Sequence, residues 1–299
     1  MRVLHNIGPW SGLAMHPIEH LLYFSCVLIH RVAPSPPIHR LMNASHAAFT
    51  PVQRHVGIIV LIACLTITSC TSRQGATEAE FSFTFQSDAE GWTAGFADLP
   101  ADFEPSIYEL DSGYRPLPPG LEGNGLYIQG HNRSDDLFMF FKRRIDGLRA
   151  DATCAVFASL DLATNVPSNT FGIGGSPGES VYVKAGASTV EPVAVGENLR
   201  MNIDKGNQSN GGESMVVIGN VAHPEVRDRE FRLKSLDNAD NPVNVTTDSK
   251  GGLWLIVGTD SGFEGLSTFY YARIAYTLKV VESPNSGASL LGPNNRSLD

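Results

Sequence analysis

The sequence predicts an all-β protein, an antiparallel β-sandwich that follows an N-terminal targeting segment. From residue 81 onward, apolar and polar residues alternate with a period of two, which is the pattern of half-buried strands. Clusters of Gly and Pro separate these short stretches, and the chain contains 29 Gly and 18 Pro. No segment carries a sustained apolar stripe at helical spacing. Many short strands with frequent turns are typical of a sandwich or a barrel.

The alternation is clearest at the first predicted strand, where Phe81, Phe83 and Phe85 lie on one face. The last predicted strand runs from Tyr270 to Val281. Between them, strands are predicted at residues 125–129, 137–141, 153–160, 180–184, 199–203, 215–218, 231–233 and 253–257. We therefore expect a β-sandwich domain over residues 81–282, a flexible tether at 71–80 and a disordered tail at 283–299.

The N-terminal part of the chain has the pattern of a signal peptide. The uncharged run from Val56 to Thr68 is shorter than the roughly 20 residues of a membrane-spanning helix, and basic residues precede it. It ends in Ile67-Thr68-Ser69-Cys70, which resembles the lipobox of bacterial lipoproteins. The resemblance implies that residues 1–70 form an extension and signal peptide, and that Cys70 is lipidated and becomes the new N-terminus. Several acyl chains would anchor the protein stably to a membrane of the bacterial cell envelope, on its periplasmic or cell-surface side.

Charge and cysteine content agree with export. Residues 1–56 contain one acid, Glu19, whereas the whole chain has a net charge of −9. An acidic domain repels a phosphate backbone, so no nucleic-acid partner is expected. After cleavage at Cys70, Cys154 is the remaining cysteine, and it is expected to be a buried, unreactive thiol in a domain large enough to fold without a disulfide. Translation can start at Met1 or at Met42, and both remain open.

A second resemblance concerns the mature domain. Phe81-Ser-Phe-Thr-Phe85, followed by Glu90-Gly-Trp92, is similar to the opening of galactose-binding-like jelly rolls, a group that includes many carbohydrate-binding modules. The segments 145–157 and 269–281 resemble an inner strand and the closing strand of those domains. The resemblance implies a jelly-roll architecture. No diagnostic motif is shared, so it implies neither a ligand nor an activity.

Two polar segments are candidates for ligand binding. Residues 129–136 (QGHNRSDD) lie between two predicted strands and carry a guanidinium, whose donors suit carboxylates or vicinal hydroxyls. Residues 202–208 (NIDKGNQ) are rich in side chains that both donate and accept hydrogen bonds, as recognition of sugar hydroxyls requires. Two aromatic residues beside glycines are candidates for stacking on a sugar ring. The predicted ligand contacts are Trp92, Phe96, His131, Asn132, Arg133, Asn202, Asn207 and Gln208; ordinary turns or core positions are the alternative for each.

The same segments offer oxygen ligands to a hard cation. Asp135, Asp136 and Asp204 are candidate ligands of Ca²⁺, although the full EF-hand spacing is absent from the sequence.

The Gly-rich segment 172–179 lacks the Lys-Ser/Thr pair of a phosphate-binding loop, and Pro177 follows Ser176 where a nucleophile elbow needs a backbone N–H. No catalytic residue is predicted. A glycosidase pair could still come from the carboxylates Asp98, Asp102, Glu104, Glu179, Asp204, Asp260 and Glu264.

Three functions remain open on the sequence. The first is a lipid-anchored protein whose sandwich binds a glycan or another extracytoplasmic ligand. The second is a structural or assembly lipoprotein that contacts another envelope protein, and the third is a carboxylate-dependent glycoside hydrolase or lyase. The first is favoured if segments 131–136 and 202–208 converge on one concave site. An exposed apolar patch favours the second, and a pair of acids in a groove is required by the third.

Overall fold

The computed structural model describes residues 77–133 and 135–281. These residues form antiparallel sheets with one short helix, which confirms the all-β prediction. The predicted leader with Cys70, most of the tether and the tail at 283–299 lie outside the described residues. The end of the predicted tether belongs to the first strand, which begins at Glu78. Within the described ranges, no helix has the length and hydrophobicity needed to cross a bilayer.

The strands follow one another along the chain with short connections. They are β1 (Glu78–Phe83), β2 (Thr93–Ala97), β3 (Asp111–Pro116), β4 (Asn124–His131), β5 (Leu137–Ile145), β6 (Thr153–Thr164), β7 (Val181–Ser188), β8 (Ala194–Val195), β9 (Arg200–Met201), β10 (Met215–Asn220), β11 (Arg232–Asp237), β12 (Val243–Thr246), β13 (Leu253–Ser261) and β14 (Leu266–Val280). The helix α1 (Pro105–Tyr108) precedes β3.

Two sheets make up the sandwich. One has the order β11-β6-β14-β4-β3, with β1 paired to β14 and β12 paired to β6. The other has the order β10-β7-β13-β5-β2, and β8 and β9 form a separate two-stranded ribbon. The predicted strand at 199–203 is therefore only the two residues of β9.

The main core lies between the two sheets. Phe81 and Phe83 pair with Tyr276 and Ile274 of β14, so the aromatic face predicted for the first strand points into this core. A bulge between Tyr271 and Arg273 shifts the register of β14, and the strand keeps its apolar residues inward on both sides of it. Burial of this apolar surface is the main source of stability of the sandwich.

A second, smaller cluster covers the outer face of the five-stranded sheet. Phe138, Phe140 and Ile256 point outward, and the segment 189–214, which contains β8 and β9, packs on them through Ile203 and neighbouring side chains. Gly95 of β2 pairs with Phe140 of β5. A Cβ added at Gly95 would lie 2.3 Å from the ring of Phe140. The outer face of this sheet is thus partly closed by a loop.

The two ends of β14 lie at opposite ends of the sandwich. Leu266 is the first residue of β14 and pairs with His131. A short turn connects it to Ser261, the last residue of β13. Lys279, at its other end, pairs with Glu78, where the described chain begins. The turn after β13 and the entry of the chain are therefore separated by the length of a 15-residue strand, about 45 Å at roughly 3.3 Å per residue.

Candidate functional site

The two polar segments predicted from the sequence converge. Gln208 connects them, because its Nε2 donates to the backbone oxygen of Asp135 (3.0 Å) and its backbone N–H donates to Oδ2 of Asp260 (2.9 Å). Between the segments is a cavity of about 420 Å³, here called the loop cavity. Its lining includes Asp135, Asp136, Arg200, Asp204, Asn207 and Gln208. This is the arrangement that favours the binding hypothesis over the alternatives.

Below the loop cavity lies a network of buried charges on the outer face of the five-stranded sheet. Lys184 of β7 donates to Oδ2 of Asp260 of β13 at 2.7 Å, and both side chains are completely buried. Lys205 lies 2.8 Å from Oδ2 of Asp260 and 2.8 Å from Oδ2 of Asp98. Lys184 also donates to the backbone oxygens of Lys205 and Asn210, which attaches the covering segment to the sheet.

Arg200 is the part of this network that faces solvent. Its guanidinium contacts Asp98 at 2.8 Å and Asp136 at 3.2 Å, and its side chain is 64% exposed. Three carboxylates, those of Asp98, Asp136 and Asp260, thus contact two ammonium groups and one guanidinium. A buried network of this kind is tolerated when its charged groups are paired and hydrogen-bonded.

The network shifts the pKa values of its members in different directions. Burial, together with repulsion from Asp260 and Asp98, raises the pKa of Asp136 to about 7. Burial also lowers the pKa of the Lys184 ammonium. Burial acts against charge at Asp260 too, but the two neighbouring lysines outweigh it and lower the pKa of this carboxyl. Asp136 therefore takes up a proton more readily than Asp260.

The residues do not fit the predicted Ca²⁺ site. Within the described ranges, the acidic group whose oxygens lie within 4.8 Å of one another is Asp98, Asp136 and Asp260, so it contains Asp136 but neither Asp135 nor Asp204. The ammonium of Lys205 already lies between two of these carboxylates, and the guanidinium of Arg200 contacts the third. A divalent ion would therefore add uncompensated positive charge.

Asp204 orders its loop instead of offering ligand oxygens. Its Oδ1 accepts from the backbone N–H of Gly206 and its Oδ2 from that of Glu213, both at 2.9 Å. These bonds lower the pKa of Asp204. Asn202 has a similar role, because its side chain bonds to backbone groups of Glu191 and Val193. Asn207 is exposed and lines the loop cavity.

The remaining predicted contacts lie away from the loop cavity. Trp92 is only 4% exposed and packs edge-to-face on Phe83 in the main core, so its ring is not available to a sugar. Phe96 is partly buried against the same core. Asn132 is buried, and its Nδ2 donates to the backbone oxygens of Ser261 and Phe263. It therefore fixes the turn after β13.

His131 and Arg133 meet at a different carboxylate. His131 Nδ1 lies 2.8 Å from Oε1 of Glu109, and Arg133 lies 3.6 Å from the same oxygen. Arg133 also donates to the backbone oxygen of Ile107. Both side chains therefore pair with an acid at the end of α1 and do not face the loop cavity.

The buried lysines were missed by reasoning from sequence. Lys184 lies among apolar residues of a predicted strand, and a lysine in that position signals a paired, buried charge. Asp260 is the second-last residue of an equally apolar strand, and the sequence marks it only as one of seven carboxylates that could form a glycosidase pair. Their pairing depends on the alignment of β7 and β13, which are 76 residues apart at these positions.

The raised pKa of Asp136 predicts a specific pH dependence of stability. Between about pH 4 and pH 7 the folded protein keeps a proton on Asp136 that the unfolded chain releases, so the free energy of unfolding should fall as pH rises through this window. Asp136→Asn should remove this contribution, which is on the order of 2–4 kcal/mol. Urea unfolding at several pH values measures it. The control is Asp135→Asn, which should keep the wild-type slope; equal slopes in all three proteins would contradict the prediction.

Known proteins resemble this chain in structure and not in sequence. No known protein family and no curated protein matches the sequence. The structure is similar to β-sandwich carbohydrate-binding modules of promiscuous specificity (9% identity, TM-score 0.30, covering 62% of this chain and 56% of that one). It is also similar to a carbohydrate-binding module studied for specific mannan recognition (12%, 0.33, 69% and 100%). A third is the enzymatically active domain of tailspike protein 4 of bacteriophage CBA120 (9%, 0.31, 64% and 20%).

Carbohydrate-binding modules are thus among the structures similar to this chain, as the sequence resemblance indicated. The chain spans 56% of the first of these structures and 20% of the tailspike domain. With TM-scores near 0.3, these alignments assign neither a ligand nor an activity. The function must be argued from the site itself.

Proposed function

We propose that this protein is an exported lipoprotein, anchored through Cys70, whose β-sandwich binds a glycan in the loop cavity. The observation that carries the proposal is the convergence of Asp135 and Asp136 with segment 202–208, joined by Gln208. The anchor rests on the lipobox-like sequence at 67–70 and on the apolar run before it. No part of the proposal requires a cofactor.

The chemistry of the loop cavity suits a ligand with many hydroxyl groups. Asp135 offers acceptors, Arg200 offers donors, and the amide of Asn207 offers both, all within one lining. A sugar hydroxyl donates and accepts at once, so it can bond to neighbouring groups of both kinds. The volume of about 420 Å³ lies within the range of small-molecule sites. The described lining contains no aromatic ring, so we expect recognition through hydrogen bonds and weak affinity.

A glycan array followed by calorimetry tests the proposal. The full-length protein should bind at least one class of glycan, and Arg200→Ala should weaken that binding at least tenfold, equivalent to about 1.4 kcal/mol. The matched control is Arg115→Ala, because Arg115 also pairs with an acid on the surface but lies on the other sheet. An array without hits, or equal losses in both variants, contradicts binding at the loop cavity.

Hydrolysis or elimination of a glycan is a second candidate, and the raised pKa of Asp136 favours it, since a general acid needs such a value. The burial of its neighbours argues against it. The side chains of Asp98 and Asp260 are at most 1% exposed and are held by lysines, so neither can reach a glycosidic carbon as a nucleophile. Release of reducing sugar that disappears in Asp136→Asn would establish the enzyme.

Contact with another envelope protein is the third candidate. The observation in its favour is a loop on which Phe171 is fully exposed and Ile173 is 71% exposed. Apolar residues grouped on a surface loop are a common feature of protein interfaces. Crosslinking in intact cells, with and without Phe171→Ser, distinguishes this function, because loss of a crosslinked partner in the variant would support it.

A further inference from the structure

Directly below the loop cavity, the carboxyl groups of Asp136 and Asp260 lie close together, and one oxygen of Asp260 receives no hydrogen bond from a donor in the described part of the chain. Oδ2 of Asp260 accepts from Lys184, Lys205 and the backbone N–H of Gln208. Oδ1 of Asp260 is buried and receives no hydrogen bond from a nitrogen or hydroxyl donor of the described residues. A carboxyl oxygen of Asp136 lies within 4.8 Å of one of Asp260. Two carboxyl groups can form a hydrogen bond only when one of them carries a proton.

We propose that Asp136 and Asp260 share one proton, and that this proton is a pH-sensitive latch that holds Asp135 and Asp136 against the sheet and closes the wall of the loop cavity. The proposal deepens the proposed function, and it rests on that function only for the loop cavity being the ligand site. When the proton leaves for solvent, Asp136 becomes an anion beside two buried anions. The latch then opens and the wall formed by Asp135 and Asp136 loosens.

The charges around Asp136 determine the direction of this response. Negative groups facing it are Asp260 of β13 and Asp98 after β2, whose oxygens lie within 4.8 Å of one another. Positive groups in the network are Lys184 of β7, Lys205 and Arg200. The remaining acids of the lining are Asp135 and Asp204.

The positive groups lie closer to Asp260 and Asp98 than to Asp136, which would be a third anion. The lysines contact Asp260 and Asp98, and the guanidinium of Arg200 is 64% exposed, so its attraction for Asp136 is screened by water. Repulsion between partly buried carboxylates at this separation amounts to several kcal/mol at an effective dielectric constant of about 20. Burial and this repulsion raise the pKa of Asp136 to about 7, so the latch responds near neutral pH.

Hydrogen exchange on the full-length protein tests the latch without any ligand. Protection factors of amides at residues 135–137, corrected for the intrinsic pH dependence of exchange, should fall at least tenfold between pH 5.5 and pH 8.5. Asp136→Asn should keep high protection at both pH values, because its amide can donate to Oδ1 of Asp260 without titrating. Asp135→Asn, the neighbouring control, should behave as the wild type.

Three results would overturn the latch. One is wild-type protection that does not change with pH, and another is a wild-type response that persists in Asp136→Asn. The third is full protection at pH 8.5 on addition of Ca²⁺, which would mean that a metal ion and not a proton joins the carboxylates. Because no glycan is present, these results are independent of whether the loop cavity binds one.

Discussion

Asp260→Asn should lower the free energy of unfolding by about 3–5 kcal/mol. The side chain of Asp260 is completely buried and faces Lys184 at 2.7 Å and Lys205 at 2.8 Å. Asparagine keeps the shape but removes the charge, so two buried ammonium groups lose their common counterion. The cost of a buried charge without a partner is larger than the net benefit of the original pair. Urea unfolding at pH 7 measures the change.

The matched control is Asp161→Asn on the other sheet. Asp161 pairs with Arg273 at the same distance of 2.7 Å, but the two side chains are 23% and 34% exposed. Water replaces the lost charge there, so we expect a loss below about 1 kcal/mol. Similar losses at Asp260 and Asp161 would show that the buried network is not a special source of stability.

Phe138→Ala should also cost about 3–5 kcal/mol, the usual range for removing a buried phenyl ring. Phe138 is completely buried, stacks on Phe140 with 5.4 Å between ring centroids, and lies below the ammonium of Lys205. It is part of the small cluster that holds the segment 189–214 on the sheet. We therefore expect limited proteolysis to cut this segment faster in the variant, in addition to the lower midpoint of urea unfolding.

Phe231→Ala provides the comparison for this prediction. Phe231 is partly exposed and contacts Tyr270 edge-to-face at 5.6 Å on the outer face of the seven-stranded sheet. Its loss should cost about 1 kcal/mol, the size of an aromatic pair, and should leave the cleavage of 189–214 unchanged. If Phe138→Ala leaves that cleavage unchanged as well, the small cluster does not hold the covering segment.

The sandwich could be predicted from sequence because its signal is local. The alternation of Phe81, Phe83 and Phe85 needs only neighbouring residues, and the structure buries that face as expected. The burial of Trp92 could not be predicted in this way. Its place beside Gly91 is typical of an exposed turn, whereas its actual environment depends on Phe83 from another strand.

The candidate site was predicted in part for the same reason. Both polar segments were identified, since density of polar residues is local, but the lysines below them were not. Lys184 and Asp260 meet because β7 and β13 pair in one register, and sequence spacing does not encode that register. For Asp204, a candidate ligand of Ca²⁺ on the sequence, the structure shows the alternative role, because its oxygens accept hydrogen bonds from the backbone of its own loop.

The placement of the loop cavity at the turn after β13 has a consequence for access to large polymers. The chain enters the sandwich at Thr77, near the far end of β14, and six residues separate this point from Cys70. Six extended residues reach at most about 22 Å. If Cys70 is lipidated as proposed, the entry of the chain stays within this reach of the headgroups, while Asp136 and Asp260 lie about 45 Å further along the strand. Insoluble or cross-linked polysaccharides that cannot approach the bilayer could therefore still meet the cavity.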